Sequence, residues 1–562
     1  MKNEFLRLLG VSIFLGLLVS CTADFDEINE QPDALAVTDV SAKFFVTSLQ
    51  KGLFKPAALP LWYGQIFHQD QYAGQHSGGH SQYLWDGNFG WEYASWLQEG
   101  SNSWLAAYNT GLTSYLQFVG PGGTLENDQY YAIGLIMKGF YYQLYTDQVG
   151  MIPYSEASNP DITLPSYDEQ IDIYKGVISE LDQAITSIGD NSSTGVGVEK
   201  LAENDVLFNG DMQKWKQLAN SLKLRMALRA HGADGEDFAA TAVSEAISSG
   251  VLADSDALFT SSNEVANIWV EHCNYGDIYQ GFGIIGQWRM GEPLINAMIH
   301  SNDPRLALIS KPSIGGTFEF EILDTTTDDQ IAFLKSTLDG AGLDIDTDYT
   351  WVQTDSSLTI TMAEGTHHIG LPLRLSPKIK PLFDGNMFSE PSDIITNKSN
   401  EGGDMFPSVV MSSADSHLMI AEAIVKGLAA GDAEAHYQIG LSNAMALWKT
   451  TTNEAFLNSE MGSLSGTMEQ KLEKIATQRW IANYTNGYEA WSIVRDTGYP
   501  SSAITTSSDN NIRSFSGEMN GGYANRLRYI SSAYTSNGDN ISQAVSVQGP
   551  DNKLTKLWWA KR

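Results

Sequence analysis

Aromatic and short polar side chains are interleaved in one early segment of the chain, residues 62–104, which holds four of its 14 tryptophans within 20 residues. Flat rings cover the apolar C–H faces of sugars, while amides and carboxylates hydrogen-bond to hydroxyl groups. The glycines of residues 74–79 predict a loop, where binding residues concentrate. We therefore predict a carbohydrate-binding segment, with the contact residues Asp70, Tyr72, Tyr83, Trp85, Asp86 and Asn88.

A second segment of the same composition occupies residues 269–288. Four glycines between residues 276 and 286 again indicate a loop. Its predicted contact residues are Trp269, Tyr275, Asp277 and Trp288. The alternative for both segments is an aromatic core beneath a helix, and we favour it for Trp91, Trp96 and Trp104, whose neighbours are typical of a helix.

Patterns that would indicate catalysis or a metal site are weak. His76 and His80 would share a helix face, but the glycines at 78 and 79 between them disfavour a helix. Ser48 and Lys51 match a Ser-x-x-Lys pattern without its companion motifs. With 67 acidic residues, carboxylate pairs near the aromatic segments are expected by chance. We predict a binding protein, with no catalytic residues, metal or cofactor.

The N-terminal residues have the three parts of a secretory signal peptide. Lys2 and Arg7 precede an apolar run at residues 8–19, which is shorter than the roughly 20 residues that span a bilayer. Residues 18–21 (LVSC) resemble the lipobox of bacterial lipoproteins, so Cys21 is predicted to be acylated and to become the mature N-terminus. The alternative is an ordinary signal peptide with a cysteine nearby.

The sequence after the lipobox predicts a location and a class of ligand. Acidic residues at 24, 26 and 27 resemble the export tag that sends lipoproteins of the Bacteroidetes to the outer surface of the cell.

The formal net charge of the whole chain, −33, disfavours nucleic acid and other polyanions as ligands. If Cys21 is acylated, Cys273 has no partner, so the protein folds without an internal disulfide bond.

Helical periodicity dominates the rest of the chain. Apolar residues recur at spacings of three and four from Tyr167 to Ile188 and from Trp215 to Met226, with Asp211 as the N-cap of the second helix. Similar runs cover residues 128–145, 415–429, 433–449 and 467–484. Strand-like alternation is limited to residues 318–322 and 358–362.

These patterns predict a mainly α protein with long irregular loops and a few short strands in the second half. The predicted organisation is a signal peptide at 1–20, a lipidated tether at 21–40, and one domain at 41–562 with an inserted loop region around 310–410.

Several short motifs lie along the chain: residues 146–157 (TDQVGMIPYSEA), 210–225 (GDMQKWKQLANSLKLR), 302–306 (NDPRL), 478–480 (QRW), 489–491 (EAW) and 557–559 (LWW). In type and order they resemble the motifs of SusD/RagB-type nutrient-binding lipoproteins of the Bacteroidetes. We interpret these motifs as structural. Asp147, Gly150 and Pro153 fit a helix end and a turn, and Trp215, Asn220 and Arg225 fit contacts between helices.

The resemblance implies a scaffold of tetratricopeptide-like helix pairs. It also implies an outer-membrane lipoprotein that captures glycans, or peptides in some members, and delivers them to a SusC-like TonB-dependent transporter. In this family the glycan-binding loops come from the early helices and the middle of the chain, where the two aromatic segments lie. The resemblance therefore favours one composite site.

Two alternatives stay open: a peptide-binding member of the same family, and a glycoside hydrolase built on a helical toroid. The order of the motifs favours the family over the hydrolase. Tryptophan interleaved with glutamine and asparagine favours sugar over peptide. Among sugars we favour a neutral β-glucan, and an amino-sugar polymer such as chitin is a further possibility.

Overall fold

The computed structural model describes residues 41–54, 60–78, 95–191, 200–260, 288–396, 406–504, 511–513, 519 and 521–562. The predicted signal peptide and tether therefore lie outside the described residues, as does Cys273. The mainly helical architecture predicted from the sequence is confirmed within these ranges.

The first half of the chain is a series of helices, most of which pack against the next helix along the chain. They are α1 (Lys43–Phe54), a π-helix (Pro60–Gln69), α2 (Ser95–Val119), α3 (Asp128–Val149), α4 (Gln170–Ile188), α5 (Met212–Ala230) and α6 (Ala239–Ser249). Helices α3 and α4 form one close pair and α5 and α6 another, and α4 packs on α5. This is the arrangement of helix pairs that the resemblance implied.

The second half contains α7 (Glu292–His300), α8 (Asp328–Gly340), α9 (Ser413–Val425), α10 (Ala433–Leu447), α11 (Met468–Ala482), α12 (Gly487–Thr497) and α13 (Ser531–Gln548). Short helical turns lie at Asp70–Tyr72, Ala202–Asn204, Leu306–Ile309, Lys380–Leu382, Gly385–Met387, Asp393–Thr396, Glu454–Leu457, Glu460–Gly462, Ser501–Ala503 and Trp558–Ala560. Because α9 packs on α5 and α12 packs on α3, the two halves share one core.

Capping residues explain where the predicted helices begin and end. Asp211 caps α5 as predicted, since its carboxylate accepts hydrogen bonds from the backbone N–H groups of Gln213 (3.0 Å) and Lys214 (3.2 Å). Gly150 ends α3 with a φ of 90°, a conformation that favours glycine. Helix α4 begins at Gln170, later than the apolar pattern suggests, because Asp168 is paired with Ile152 in an antiparallel bridge.

In the ranges that the structure describes, seven short strands form three antiparallel sheets. Strand β1 (His76–Gly78) pairs with β3 (Trp288–Met290), and β2 (Ala257–Phe259) pairs with β7 (Ser408–Met411). Strand β6 (Ser357–Met362) lies between β4 (Gly316–Glu321) and β5 (Tyr349–Gln353). Both strands expected from alternation are present in this third sheet. With α8 it encloses a core of its own, so the 310–410 region has more regular structure than its composition predicts.

The motif residues pack and hydrogen-bond between helices, as predicted. Trp215 donates from Nε1 to Asp205 Oδ2 (2.8 Å), and Asn220 donates to the carbonyl oxygen of Gly250 (3.0 Å). Arg225 donates to Asp415 Oδ2 on α9 at 3.0 Å. These contacts hold α5 against its neighbours, which is a structural role rather than ligand binding.

Asp147, close to the end of α3, is also the centre of a buried hydrogen-bond network. Its carboxylate accepts hydrogen bonds from Arg229 (2.6 Å), Tyr174 (2.6 Å) and Trp559 (2.9 Å), on three different elements. Arg229 also donates to Glu489 on α12 at 2.5 Å. All these side chains are buried, so the contacts form a charged centre inside the helical scaffold.

The same network continues through α9 and α11. Asp415 accepts from Arg225 (3.0 Å) and Arg479 (2.8 Å), and Arg479 also donates to Glu422 at 2.8 Å. Burial alone would raise the pKa of Asp415 and of Glu422. The neighbouring cations (Arg479 and Arg225 beside Asp415, Lys426 and Arg479 beside Glu422) instead lower both pKa values to about 2. These carboxylates therefore stay charged at neutral pH.

Candidate functional site

The two aromatic segments predicted to bind sugar are connected by the β1–β3 ladder. Its register pairs His76 with Met290, Ser77 with Arg289, and Gly78 with Trp288. Strand β1 leads directly into residue 79 of the first segment, and the second segment leads directly into Trp288. The two segments are far apart in the sequence, but each adjoins one strand of the same ladder.

Contacts on both sides fix the ladder in the body of the protein. Ser77 donates from Oγ to the carbonyl oxygen of Pro372 (2.9 Å), and Arg289 donates from Nε to that of Gly385 (2.6 Å). Gly291, directly after β3, donates its N–H to the Gln75 carbonyl oxygen at 2.9 Å. A side chain at Gly291 would collide with the backbone of Gly74, so this close approach requires glycine.

A cluster of buried polar side chains surrounds His76, the first residue of β1. His76 places Nδ1 3.4 Å from Asp70 Oδ2 and Nε2 3.0 Å from the Tyr484 hydroxyl. Asp70 also accepts a hydrogen bond from Gln65 Nε2 at 3.3 Å and lies against Gly487, the first residue of α12. The positive end of that helix favours a carboxylate at this position. These contacts stabilise the buried Asp70 side chain.

The prediction that Asp70 and Tyr72 contact a ligand is corrected by their burial. Their exposed fractions are 1% and 0%. The Tyr72 ring packs on Trp491, with the ring centroids 5.1 Å apart, and its carbonyl oxygen accepts a hydrogen bond from the Tyr523 hydroxyl. Their local sequence looks like a polar loop beside Gly74–Gly79, but the chain is helical as far as Tyr72 and is covered by α12. Both side chains belong to the packed interior beside the ladder.

The other predicted contact residues are not tested by the structure. Tyr83, Trp85, Asp86, Asn88, Trp269, Tyr275 and Asp277 lie outside the described residues. Trp288 is placed only by its backbone in β3. Trp104 packs against the main core, as predicted. Trp91 lies outside the described residues, and the side chain of Trp96 is not among those described.

Elsewhere in the described ranges, a cavity of about 130 Å³ lies between α1, α3, α12 and residues 394–395 and 406–410. None of the predicted contact residues lines it, and many of its wall residues are aliphatic or aromatic. The part of the chain that the structure describes contains no group of three or more His, Cys, Asp or Glu side chains placed to hold a metal ion. No helix within it is long and apolar enough to cross a membrane.

Comparison with known families identifies the fold described above. Residues 34–328 match the SusD-like family model described as starch-binding and associating with the outer membrane. Residues 463–560 match the model of SusD and RagB outer membrane lipoproteins. The chain belongs to the SusD/RagB family. The resemblance inferred from its motifs is thereby confirmed.

Solved structures share the SusD-like fold over nearly the whole chain. A chitin-binding protein aligns with a TM-score of 0.68 and 21% identity, covering 93% of this chain and 100% of its own. A SusD homologue from Bacteroides uniformis aligns with a TM-score of 0.65 and 23% identity, covering 93% and 100%. One from Bacteroides ovatus has a TM-score of 0.68 and 19% identity, covering 93% and 99%. No curated protein sequence matches the chain.

Proposed function

We propose that this SusD-like protein captures a neutral glycan at the outer surface of the cell and delivers it to a SusC-like TonB-dependent transporter. The composite site uses Tyr83, Trp85, Asp86 and Asn88 from the first segment and Trp269, Tyr275, Asp277 and Trp288 from the second. The observation that carries the proposal is the β1–β3 ladder. It joins both segments to the body at adjacent positions, as one shared site requires.

The ligand we favour is a β-linked neutral polysaccharide, with a β-glucan first. A surface with a net charge of −33 repels polyanions such as alginate. Tryptophan rings suit the flat apolar faces that an extended β-linked chain presents. Membership of the family and the likeness to a chitin-binding protein support sugar over peptide and make chitin fragments the second ligand to test.

A panel of polysaccharides tests the proposal directly. The purified mature protein should be retarded in affinity gels containing β-glucan or a soluble chitin derivative and unaffected by alginate. Starch belongs in the panel because of the matching family description. Overnight incubation with the same glycans should release no reducing ends. Turnover of any glycan would favour the hydrolase alternative, and binding of peptides alone would favour the peptide-binding one.

Substitution of single tryptophans should locate the site. Trp85→Ala and Trp288→Ala are each expected to weaken glycan binding by about 1–3 kcal/mol, because a stacking ring is lost. Thermal stability should hardly change. Isothermal titration with the glycan selected by the panel measures the effect. Phe118→Ala is the control, since Phe118 is an exposed ring on α2, outside both segments. A large loss of stability with unchanged affinity would assign the tryptophans to the core.

Acylation of Cys21 should determine location and not affinity. A Cys21→Ala variant lacks the thiol that the lipid requires, so we expect it to be absent from the outer-membrane fraction and from the transporter complex. Its affinity for glycan in solution should equal that of the wild type. Fractionation of cells with immunodetection measures the first result. Normal membrane retention of the variant would contradict the predicted lipobox.

A further inference from the structure

A second cavity, of about 330 Å³, opens between α2, α3 and the loop at residues 157–158. Both helices and the loop belong to the part of the chain that the structure describes. The cavity begins about 20 Å along α2 from Ser95, and the residues of the β1–β3 ladder do not line it. Its lining residues include Asn109, Thr113, Tyr131, Lys138, Tyr142 and Ser158.

Hydrogen bonds between the loop and α2 fix one part of the wall. The Thr113 and Ser158 hydroxyl oxygens lie 2.6 Å apart, and Asn109 donates from Nδ2 to Ser158 Oγ at 3.4 Å. Ser158 has a φ of 70°, which is uncommon for a residue other than glycine and is found most often at ligand sites. One proton joins the two hydroxyl groups, so the second hydroxyl proton stays available to a ligand.

Tyrosine rings and a lysine form another part of the wall. Tyr142 meets Tyr154 edge to face, with the ring centroids 4.8 Å apart. Lys138 Nζ lies 5.7 Å from the Tyr142 centroid and 5.1 Å from that of Tyr154. It also donates to Glu180 Oε1 at 2.5 Å, which balances its charge. An ammonium group has three protons, so two remain for a ligand.

This set of side chains suits a sugar. Hydroxyl, amide and ammonium groups match the hydroxyl groups of a sugar, which both donate and accept, and the half-buried Tyr131 ring can cover an apolar C–H face. Among the described residues that line the cavity, the charged one is Lys138, and its pairing with Glu180 favours a neutral ligand. The volume is near the lower end of the range for small-molecule sites, about 300–1,000 Å³.

We propose that this cavity is a second carbohydrate site, which binds one or two sugar units of a neutral glycan on the helical scaffold. The inference goes beyond the function proposed above, since that function assigns recognition to the two aromatic segments. A polysaccharide bound at both places would dissociate more slowly, because release from one site leaves it bound at the other.

Amide hydrogen exchange with cellobiose, diacetylchitobiose and maltose tests the site. At least one of these disaccharides should slow exchange in residues 109–119 and 155–159 of the wild type. Asn109→Trp fills the cavity and should abolish the effect. The matched control is Ser114→Trp, since Ser114 is exposed on α2 and does not line the cavity. Thermal unfolding of both variants should resemble that of the wild type.

Thr113→Val is a milder variant that keeps the shape of the side chain and removes its hydroxyl group. The sugar concentration that gives half of the maximal protection should rise about 3- to 10-fold, the factor that corresponds to one lost hydrogen bond. Thr110→Val is the control, because Thr110 is exposed on the same helix outside the cavity. It should leave that concentration unchanged.

Two results would overturn the inference: no protection by any of the three sugars, or protection that persists in Asn109→Trp. Protection by galacturonic acid alone would contradict the neutral ligand. The aromatic segments are tested separately by Trp85→Ala and Trp288→Ala. If those variants bind glycan normally, the site proposed above fails, whereas sugar-dependent protection of residues 109–119 would still support the second site.

Discussion

Replacement of Arg229 by methionine should lower the free energy of unfolding by about 3–5 kcal/mol. Arg229 donates to both Asp147 and Glu489, and all three side chains are buried. Methionine fills much of the space but neutralises neither carboxylate. Asp147 would keep Gln143, Tyr174 and Trp559 as hydrogen-bond donors. Among the described residues, Glu489 would keep the guanidinium groups of Arg225 and Arg479, at 3.5 and 3.6 Å. Urea unfolding followed by tryptophan fluorescence measures the change.

Lys175→Met is the matched control for this experiment. Lys175 pairs with Asp237 at 2.8 Å, which is close to the distances in the network, but these side chains are 41% and 74% exposed. Water screens such a pair, so its loss should lower the free energy of unfolding far less than the loss of the Arg229 contacts does. If the two variants lost the same free energy of unfolding, burial would not strengthen the Arg229 contacts, and the prediction would be wrong.

Acid should weaken the scaffold over a defined range of pH. The pKa values of Asp415 and Glu422 are about 2 in the folded protein, below the ordinary values near 4 that apply when the chain is unfolded. A carboxyl group whose pKa is lowered by folding stabilises the protein fully above its unfolded pKa. That contribution is lost as the pH falls through the folded pKa. We expect a loss on the order of 2–3 kcal/mol from each group between about pH 4 and pH 2.

Thermal unfolding between pH 2 and pH 7 tests this expectation. The midpoint of the wild type should be nearly constant above pH 5 and should fall steeply below pH 4. In Asp415→Asn one of the two titrating groups is absent, so the midpoint should be lower at neutral pH and should change less on acidification. A wild-type midpoint that is constant down to pH 2 would mean that neither carboxylate is stabilised by its neighbours.

Local sequence determines much of the scaffold, and that part was predictable. The apolar periodicity of α3, α4 and α5 and the cap at Asp211 depend on residues within a few positions of each other. The same holds for the strands around Phe318 and Leu358, where alternation is visible in the sequence. The motifs then identified the family, because their order extends along the chain.

The support of the site depends on contacts between distant residues, and that part was not predictable. Asp70 and Tyr72 look like exposed loop residues until Tyr484, Trp491 and Tyr523 are placed around them. Asp147 looks like the end of a helix until Arg229 reaches it from α5. In each case the local sequence specifies the backbone, while the burial of a polar side chain is decided by partners that only the tertiary fold provides.

The β1–β3 ladder has a consequence for how such a protein can diversify in evolution. Each proposed recognition segment adjoins one strand of this ladder, and the helical core makes its principal contacts elsewhere. Insertions, deletions and substitutions within the segments can therefore accumulate without repacking the helices. Solved SusD-like structures share the fold over 93% of this chain at only 17–23% identity. A change of the proposed ligand would then need substitutions in these two segments rather than in the helical core.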